Sequence, residues 1–200
     1  MRIYSAVKYK NGLKDGLWKY YNESGTLVAE GAYRLGLEDG QWFKYHDSGQ
    51  LESVGSFVMG EEDGLWGLFY VNGQLTQEET WEIGLLKSVS KFYTIIGDSL
   101  SGGSLENGYG ERLTYYPTGE LESKGNYQNG IPNGKWVYYF KSGTELSGGN
   151  MLNGYRTGEW ILYYDNGNVE SKGSYEQGEK SGKLIEKVNH KLKDAVADES

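Results

Sequence analysis

Along most of this chain apolar and polar residues alternate with a period of two. Leu27, Ala29, Gly31 and Tyr33 fall on one side of such a run, with Val28, Glu30 and Ala32 on the other. Leu51, Ser53, Gly55, Phe57 and Val169, Ser171, Gly173, Tyr175 repeat it. Alternation of this kind predicts half-buried strands. A second type of run precedes each, with aromatic residues in Trp-x-x-Tyr spacing, as in Leu17 to Asn22 and Glu159 to Tyr164. Between the two runs sit Glu23-Ser24-Gly25, Asp47-Ser48-Gly49 and Asp165-Asn166-Gly167. A polar residue followed by Gly suits a hairpin loop whose last residue needs positive φ.

The hairpins recur. Units start at 16, 40, 64, about 88, 110, 134 and 158, and a half unit occupies 1–15. Paired glycines (Gly36/Gly40, Gly60/Gly64, Gly130/Gly134) are read as bracketing the turn into the next hairpin. The expected architecture is all-β: an elongated single-layer antiparallel meander spanning 1–182, of about fifteen strands and roughly 70 Å at ~4.8 Å per strand. Glycine weakens a strand unless something needs its space. Gly31, Gly55, Gly125 and Gly173 each follow a tryptophan, or its equivalent, by thirteen residues, so hairpin pairing is expected to set an indole across each. From 183 to 200 the period changes. Leu184, Ile185, Val188, Leu192, Ala195 and Val196 form a helical stripe, which predicts a short helix capping the terminal sheet edge.

The recurring Gly-x-Trp-x-x-Tyr-Tyr-x-x-Gly-x-Leu-x-x-x-Gly-x-Tyr pattern resembles the variant MORN repeat of bacterial proteins, from about Tyr9 to Gly182. The resemblance implies a curved single-layer sheet and scaffold or interaction roles, many bacterial members being antitoxins of toxin–antitoxin pairs. This chain departs from the pattern at Ser88, Ser90 and Ser99 in the fourth unit, at Arg112 in the tryptophan position of the fifth, and at Glu79 in place of the third unit's strand glycine.

Charge narrows the partners. Twenty basic against 28 acidic residues leave −8, which gains nothing from phosphate counterion release. Nucleic acid and anionic membrane are therefore not expected, and a basic protein partner is. The 31 glycines, 18 tyrosines and only two prolines fit many tight turns between aromatic-rich strands. Without cysteine there is no disulfide or thiolate site, as suits a reducing compartment. No apolar run of signal or membrane-span length occurs, so a cytoplasmic protein is the expectation.

Three features are candidate sites. The first is an aromatic ladder at the fifth position after each unit start: Tyr21, Tyr45, Phe69, Tyr93, Tyr115, Tyr139 and Tyr163. Cross-strand packing accounts for such rings, with a stacking groove for a peptide, sugar or cation as the functional alternative. The second is an acidic ridge of Asp15, Glu38, Asp39, Glu61, Glu62 and Asp63, placed in successive inter-hairpin turns. It reads as solvated turn chemistry or as a contact patch for a basic partner. The third, Thr94 to Ser104, lacks the usual second strand and is rich in Ser and Gly. It is read as a decayed repeat or a flexible binding loop.

Catalysis is not expected. His46 sits in a hairpin loop and His190 in the tail, and neither belongs to a nucleophile or metal-ligand constellation. No cofactor or metal is indicated. The leading reading is a bacterial interaction protein of antitoxin or immunity type covering a toxin. The rivals are a cell-surface carbohydrate or choline binder and a membrane-lipid scaffold.

Overall fold

A computed structural model describes residues 8–185. The described chain is a succession of antiparallel hairpins. β1 (Lys8–Lys10), β2 (Leu13–Tyr21), β3 (Leu27–Arg34), β4 (Leu37–Glu38), β5 (Gly40–Tyr45), β6 (Leu51–Val58), β7 (Glu61–Phe69), β8 (Leu75–Glu82) and β9 (Leu85–Val89) form a first open sheet. β10 (Phe92–Tyr93) and β11 (Ser99–Leu100) make a small ribbon. β12 (Gly110–Tyr115), β13 (Leu121–Gln128), β14 (Ile131–Tyr139), β15 (Glu145–Leu152), β16 (Tyr155–Tyr163), β17 (Val169–Glu176) and β18 (Glu179–Ile185) form a second sheet, in chain order. Among the described residues the expected single meander of about fifteen strands is three open antiparallel sheets of eighteen strands, because the irregular unit interrupts the ladder.

Hairpin loops follow the expected chemistry. Gly25, Gly49 and Gly167 have φ of +86°, +84° and +80°, and Gly25 N–H donates to Asn22 O at 3.0 Å. The connections between hairpins differ from the expectation. Only the first glycine of each pair makes the turn. The second (Gly40, Gly64, Gly134) also has positive φ but lies in or at the start of the following strand, near breaks in register such as that between Val54 and Ser56. These are bulges; in that one Gly64, Leu65 and Trp66 lie opposite Gly55 alone, two residues more than regular pairing needs, and such bulges raise the local twist. First strands therefore begin about four residues earlier than the Trp-x-x-Tyr run suggests.

The register confirms the pairing of tryptophan with glycine but changes the occupant. Trp18 faces Gly31, Trp42 faces Gly55 and Trp160 faces Gly173 across their hairpins. The space above Gly31, Gly55, Gly125 and Gly149 is filled by the next unit's indole, while that above Gly173 meets only Tyr175 among the described residues. A Cβ on Gly31 would meet Trp42 at 2.1 Å, one on Gly55 Trp66 at 2.0 Å, and one on Gly125 Trp136 at 2.1 Å. Each of these four glycines is a seat for the following unit's tryptophan, so units lock in sequence. Trp42 and Trp66 further donate Nε1–H to Ala32 O at 3.1 Å and Ser56 O at 3.2 Å. Ring contacts run through this face: Trp18–Tyr33 at 5.3 Å, Tyr33–Trp42 at 5.2 Å, Trp42–Phe57 at 6.1 Å and Phe57–Trp66 at 5.0 Å. The core of this layered molecule is that line of buried indoles.

The expected terminal helix is not what residues 183–185 form, since β18 runs through Ile185 and pairs with β17. Pairing one more strand satisfies the backbone groups that a helix would leave open at the sheet edge. The rest of that stripe, 186–200, lies outside the described residues, as do His190 and residues 1–7 of the first half unit.

Candidate functional site

The two edges of the hairpin array are built differently. On the inter-hairpin edge, each turn glycine N–H donates to a carbonyl of the turn before. Gly36 bonds Lys14 O at 2.9 Å, Gly60 bonds Glu38 O and Gly84 bonds Glu62 O, both at 2.8 Å. This rail stacks successive turns and brings the acidic ridge together. Its residues sit mostly in strands, at odds with the turn placement: Asp15 in β2, Glu38 in β4, and Glu61, Glu62 and Asp63 in β7, with Asp39 between β4 and β5. The bulge glycine pulls the charged stretch into pairing, which is why spacing alone misplaced it.

Part of the ridge is engaged within the fold. Glu38 accepts the Tyr33 hydroxyl at 2.7 Å, Asp39 pairs with Arg34 at 2.9 Å, and Asp63 accepts the Ile83 N–H at 3.2 Å. Desolvation, then hydrogen bonds to Tyr20 and Glu38, push the Tyr33 hydroxyl far above its ordinary range. Among the described residues no ion pair reaches Asp15, Glu61 or Glu62.

The aromatic ladder lies half-buried on the face opposite the tryptophans. Alternation puts Lys19 and Glu30 on that face, where they pair at 2.8 Å, and Tyr45 donates its hydroxyl to Glu30 at 2.8 Å. Tyr139 lies under Lys124, with Nζ 5.6 Å from the ring centre, and Tyr115 donates to Ser101 O at 2.9 Å. Tyr45, Tyr115 and Tyr139 are thus tied to polar neighbours, and Tyr115 also packs on Phe92 with ring centres 5.2 Å apart; the run of ring contacts through the first three units follows the tryptophan face. Burial and the Glu30 hydrogen bond raise Tyr45 to about 12. Glu30 is held below the ordinary carboxylate range by its hydrogen bonds to Lys19 and Tyr45.

Cations already lie on the tryptophan face. Lys14 Nζ sits 4.6 Å from the Trp18 ring and 4.4 Å from that of Tyr33, and donates to the Tyr20 hydroxyl at 3.1 Å. At the same repeat position Arg156 lies 4.5 Å over Trp160.

The irregular segment is packed. Phe92, Thr94 and Leu105 are buried, β10 pairs with β11, and Gly102 O accepts from Leu113 N–H at 2.9 Å. It joins the two sheets. The two departures from the repeat meet here: Glu79 of the first sheet forms an ion pair with Arg112 of the second, and Trp81 Nε1 donates to Glu79 at 3.0 Å. Where a glycine seat and a later indole are both missing, a charged pair fills the gap. The sequence showed both departures, but a separation of 33 residues hid their contact. His46 Nε2 contacts Phe69 O at 2.9 Å.

Among the described residues no group of three His, Asp or Glu side chains is arranged to hold a metal ion, and no helix is long and apolar enough to cross a membrane. Not singled out by the sequence are Leu35, Met59 and Ile83, at the tips of the three inter-hairpin turns that close the first three full units. The signal that marks them is the asparagine at the same position in Asn11, Asn107, Asn129 and Asn153.

The family described as "MORN repeat variant" matches residues 14–34, 38–59, 109–129 and 156–177. No curated protein sequence matches the chain. Among solved structures, one chain of "Crystal Structure of TcdB2-TccC3-Cdc42" is similar at 14% identity with a TM-score of 0.20. The match covers 82% of this chain and 9% of that one.

Proposed function

The chain is a MORN-repeat protein, and we propose that it is a non-catalytic scaffold that binds a basic protein partner through its inter-hairpin edge, in the manner of an antitoxin or immunity protein. Repeat arrays present extended surfaces assembled from equivalent positions. The observation that carries this reading is the hydrogen-bonded rail that stacks Glu38 and Glu62, with their neighbours, on one edge. Rigidly held like charges steer a partner of opposite charge and exclude wrong ones.

Quaternary-ammonium binding takes second place. The tryptophan face does attract cations, but Lys14 and Arg156 of the chain itself lie on those rings.

The test is capture of partners by the tagged chain from its native lysate, beside a variant carrying Glu38→Ser, Asp39→Ser, Glu62→Ser and Asp63→Ser. We expect one basic protein, retained by the wild type, released by salt and lost with the variant. An empty capture, or a partner indifferent to the four changes, would overturn the proposal.

A further inference from the structure

The residue before each turn glycine has left-handed backbone: Asn11, Leu35, Met59, Ile83, Asn107, Asn129, Asn153 and Gln177 have φ between +46° and +55°. That region suits asparagine, whose short polar side chain tolerates it, and crowds a β-branched residue most. Four of these positions carry asparagine. The three turns after the one at Asn11 instead carry Leu35, Met59 and Ile83, which are 60%, 43% and 60% exposed. Such residues strain the backbone and gain little burial within the fold. Beside them Leu13 rests against Gly36 and Leu37 against Gly60, each at 3.5 Å from the glycine's Cβ position, and both are exposed as well. Glu38, Glu61 and Glu62 flank the row. The tip before the row, Asn11, and those after it, Asn107, Asn129, Asn153 and Gln177, are polar, so the apolar row belongs to the first three full units.

The spacing of the row restricts what can cover it. Consecutive tips are two strands apart, about 9.6 Å. An extended peptide repeats its same-face side chains every ~6.6 Å, which does not match. The turn glycine N–H groups are already spent on the rail, so this edge offers little to an added strand. An α-helix returns every seventh residue to one face after about 10.5 Å, close to the spacing of the tips. The flanking carboxylates call for lysine or arginine beside those anchors. We infer that Leu35, Met59 and Ile83, with Leu13 and Leu37, form a docking surface for a basic amphipathic helix of a partner protein, carrying an apolar residue at every seventh position. This rests on the scaffold reading and names the structural element that the edge would bind.

The test uses the full chain and a fluorescent synthetic helix of about 21 residues, with leucine at every seventh position in an alanine–lysine background. A second peptide of the same composition has its leucines spread around the helix. Fluorescence anisotropy should show the heptad peptide binding roughly tenfold tighter. A Leu35→Asn/Met59→Asn/Ile83→Asn variant should lose roughly tenfold in affinity for it while melting no lower than wild type, since asparagine is the chain's own choice at this position. Equal binding of the two peptides, or undiminished binding by the triple variant, overturns the inference. In the lysate capture, a basic partner kept by the triple variant but lost by the carboxylate variant also overturns it and leaves the scaffold reading standing. A peptide that docks at the tips when nothing is captured upholds the helix site and removes the toxin-neutralising reading.

Discussion

Gly55→Ala should be among the most damaging single-methyl additions in the protein. Its new Cβ would lie 2.0 Å from Trp66 Cδ2 and 2.2 Å from Cε2, both atoms of the rigid fused ring. An ordinary contact needs about 3.4 Å or more, so the indole must retreat by more than an ångström. If backbone and ring share that movement, overpacking of this kind costs about 1–3 kcal/mol. If the indole is expelled, the burial of ~150–250 Å² is forfeited, worth about 4–6 kcal/mol. Its hydrogen bond to Ser56 O goes too, at about 1 kcal/mol. Trp66 is 6% exposed, with little room to slide, so a loss of about 3 kcal/mol is expected. Gly173→Ala is the internal control at the same repeat position. Among the described residues a Cβ there meets only Tyr175, at 3.6 Å. Alanine should be neutral, or stabilising by ~0.4–1 kcal/mol through the unfolded chain. Urea unfolding followed by far-ultraviolet circular dichroism measures both variants, and tryptophan emission reports whether an indole has been exposed. A Gly55→Ala protein within about 0.5 kcal/mol of wild type, or a Gly173→Ala protein equally weakened, would refute the seating of one unit on the next.

Other perturbations probe the joints and the ladder face. Arg112→Ala leaves the buried Glu79 carboxylate unpaired between the two sheets, and about 3–5 kcal/mol should be lost; replacing both residues by leucine should recover most of it, and failure of the double variant to improve on the single one would dismiss the pair as a joint. Glu30 has a folded pKa below its ordinary value, so its contribution is present above the carboxylate range and fades as pH falls through the folded value. The stability gap between wild type and Glu30→Gln should therefore close in acid, and a gap constant from neutral to acidic pH would contradict this. Tyr45, raised from 10.0 to about 12, acts in the opposite sense, its contribution being full below its ordinary value and lost as pH rises through the folded one. Tyr45→Phe should accordingly flatten the loss of stability between pH 10.0 and about 12, followed alongside phenolate absorbance.

Much of the candidate surface was legible one residue at a time and illegible as a surface. The acids of the ridge announce themselves by recurring every 24 residues at Asp15, Asp39 and Asp63. What spacing could not show was the bulge at Gly40 and Gly64, which leaves Glu38, Glu62 and Asp63 paired in strands and not in the turn. The aromatic ladder was equally visible, but not that the continuous line of ring contacts runs along the tryptophan face instead. Tyr21 and Tyr20 are neighbours in sequence, and a register break falls between them. The apolar tips went unseen because exposed leucine is common on protein surfaces. Only the left-handed φ reveals that Leu35, Met59 and Ile83 stand where asparagine is preferred.

The sequence by itself determined the hairpin, its length, its loops and its repetition, because alternation, polar-Gly loops and a fixed period are local properties. It also determined that glycine and tryptophan belong together, since their thirteen-residue separation is a matter of pairing register. Only the tertiary structure decided which tryptophan sits on which glycine. A side chain leaning out of one strand covers the neighbouring strand as readily as its own partner, and packing of the following hairpin selects the former. The same holds for Glu79 and Arg112, whose meeting depends on how the irregular segment folds between two sheets. Local pattern fixes each unit; the contacts between units, where this protein's edge surface arises, are set by packing in space.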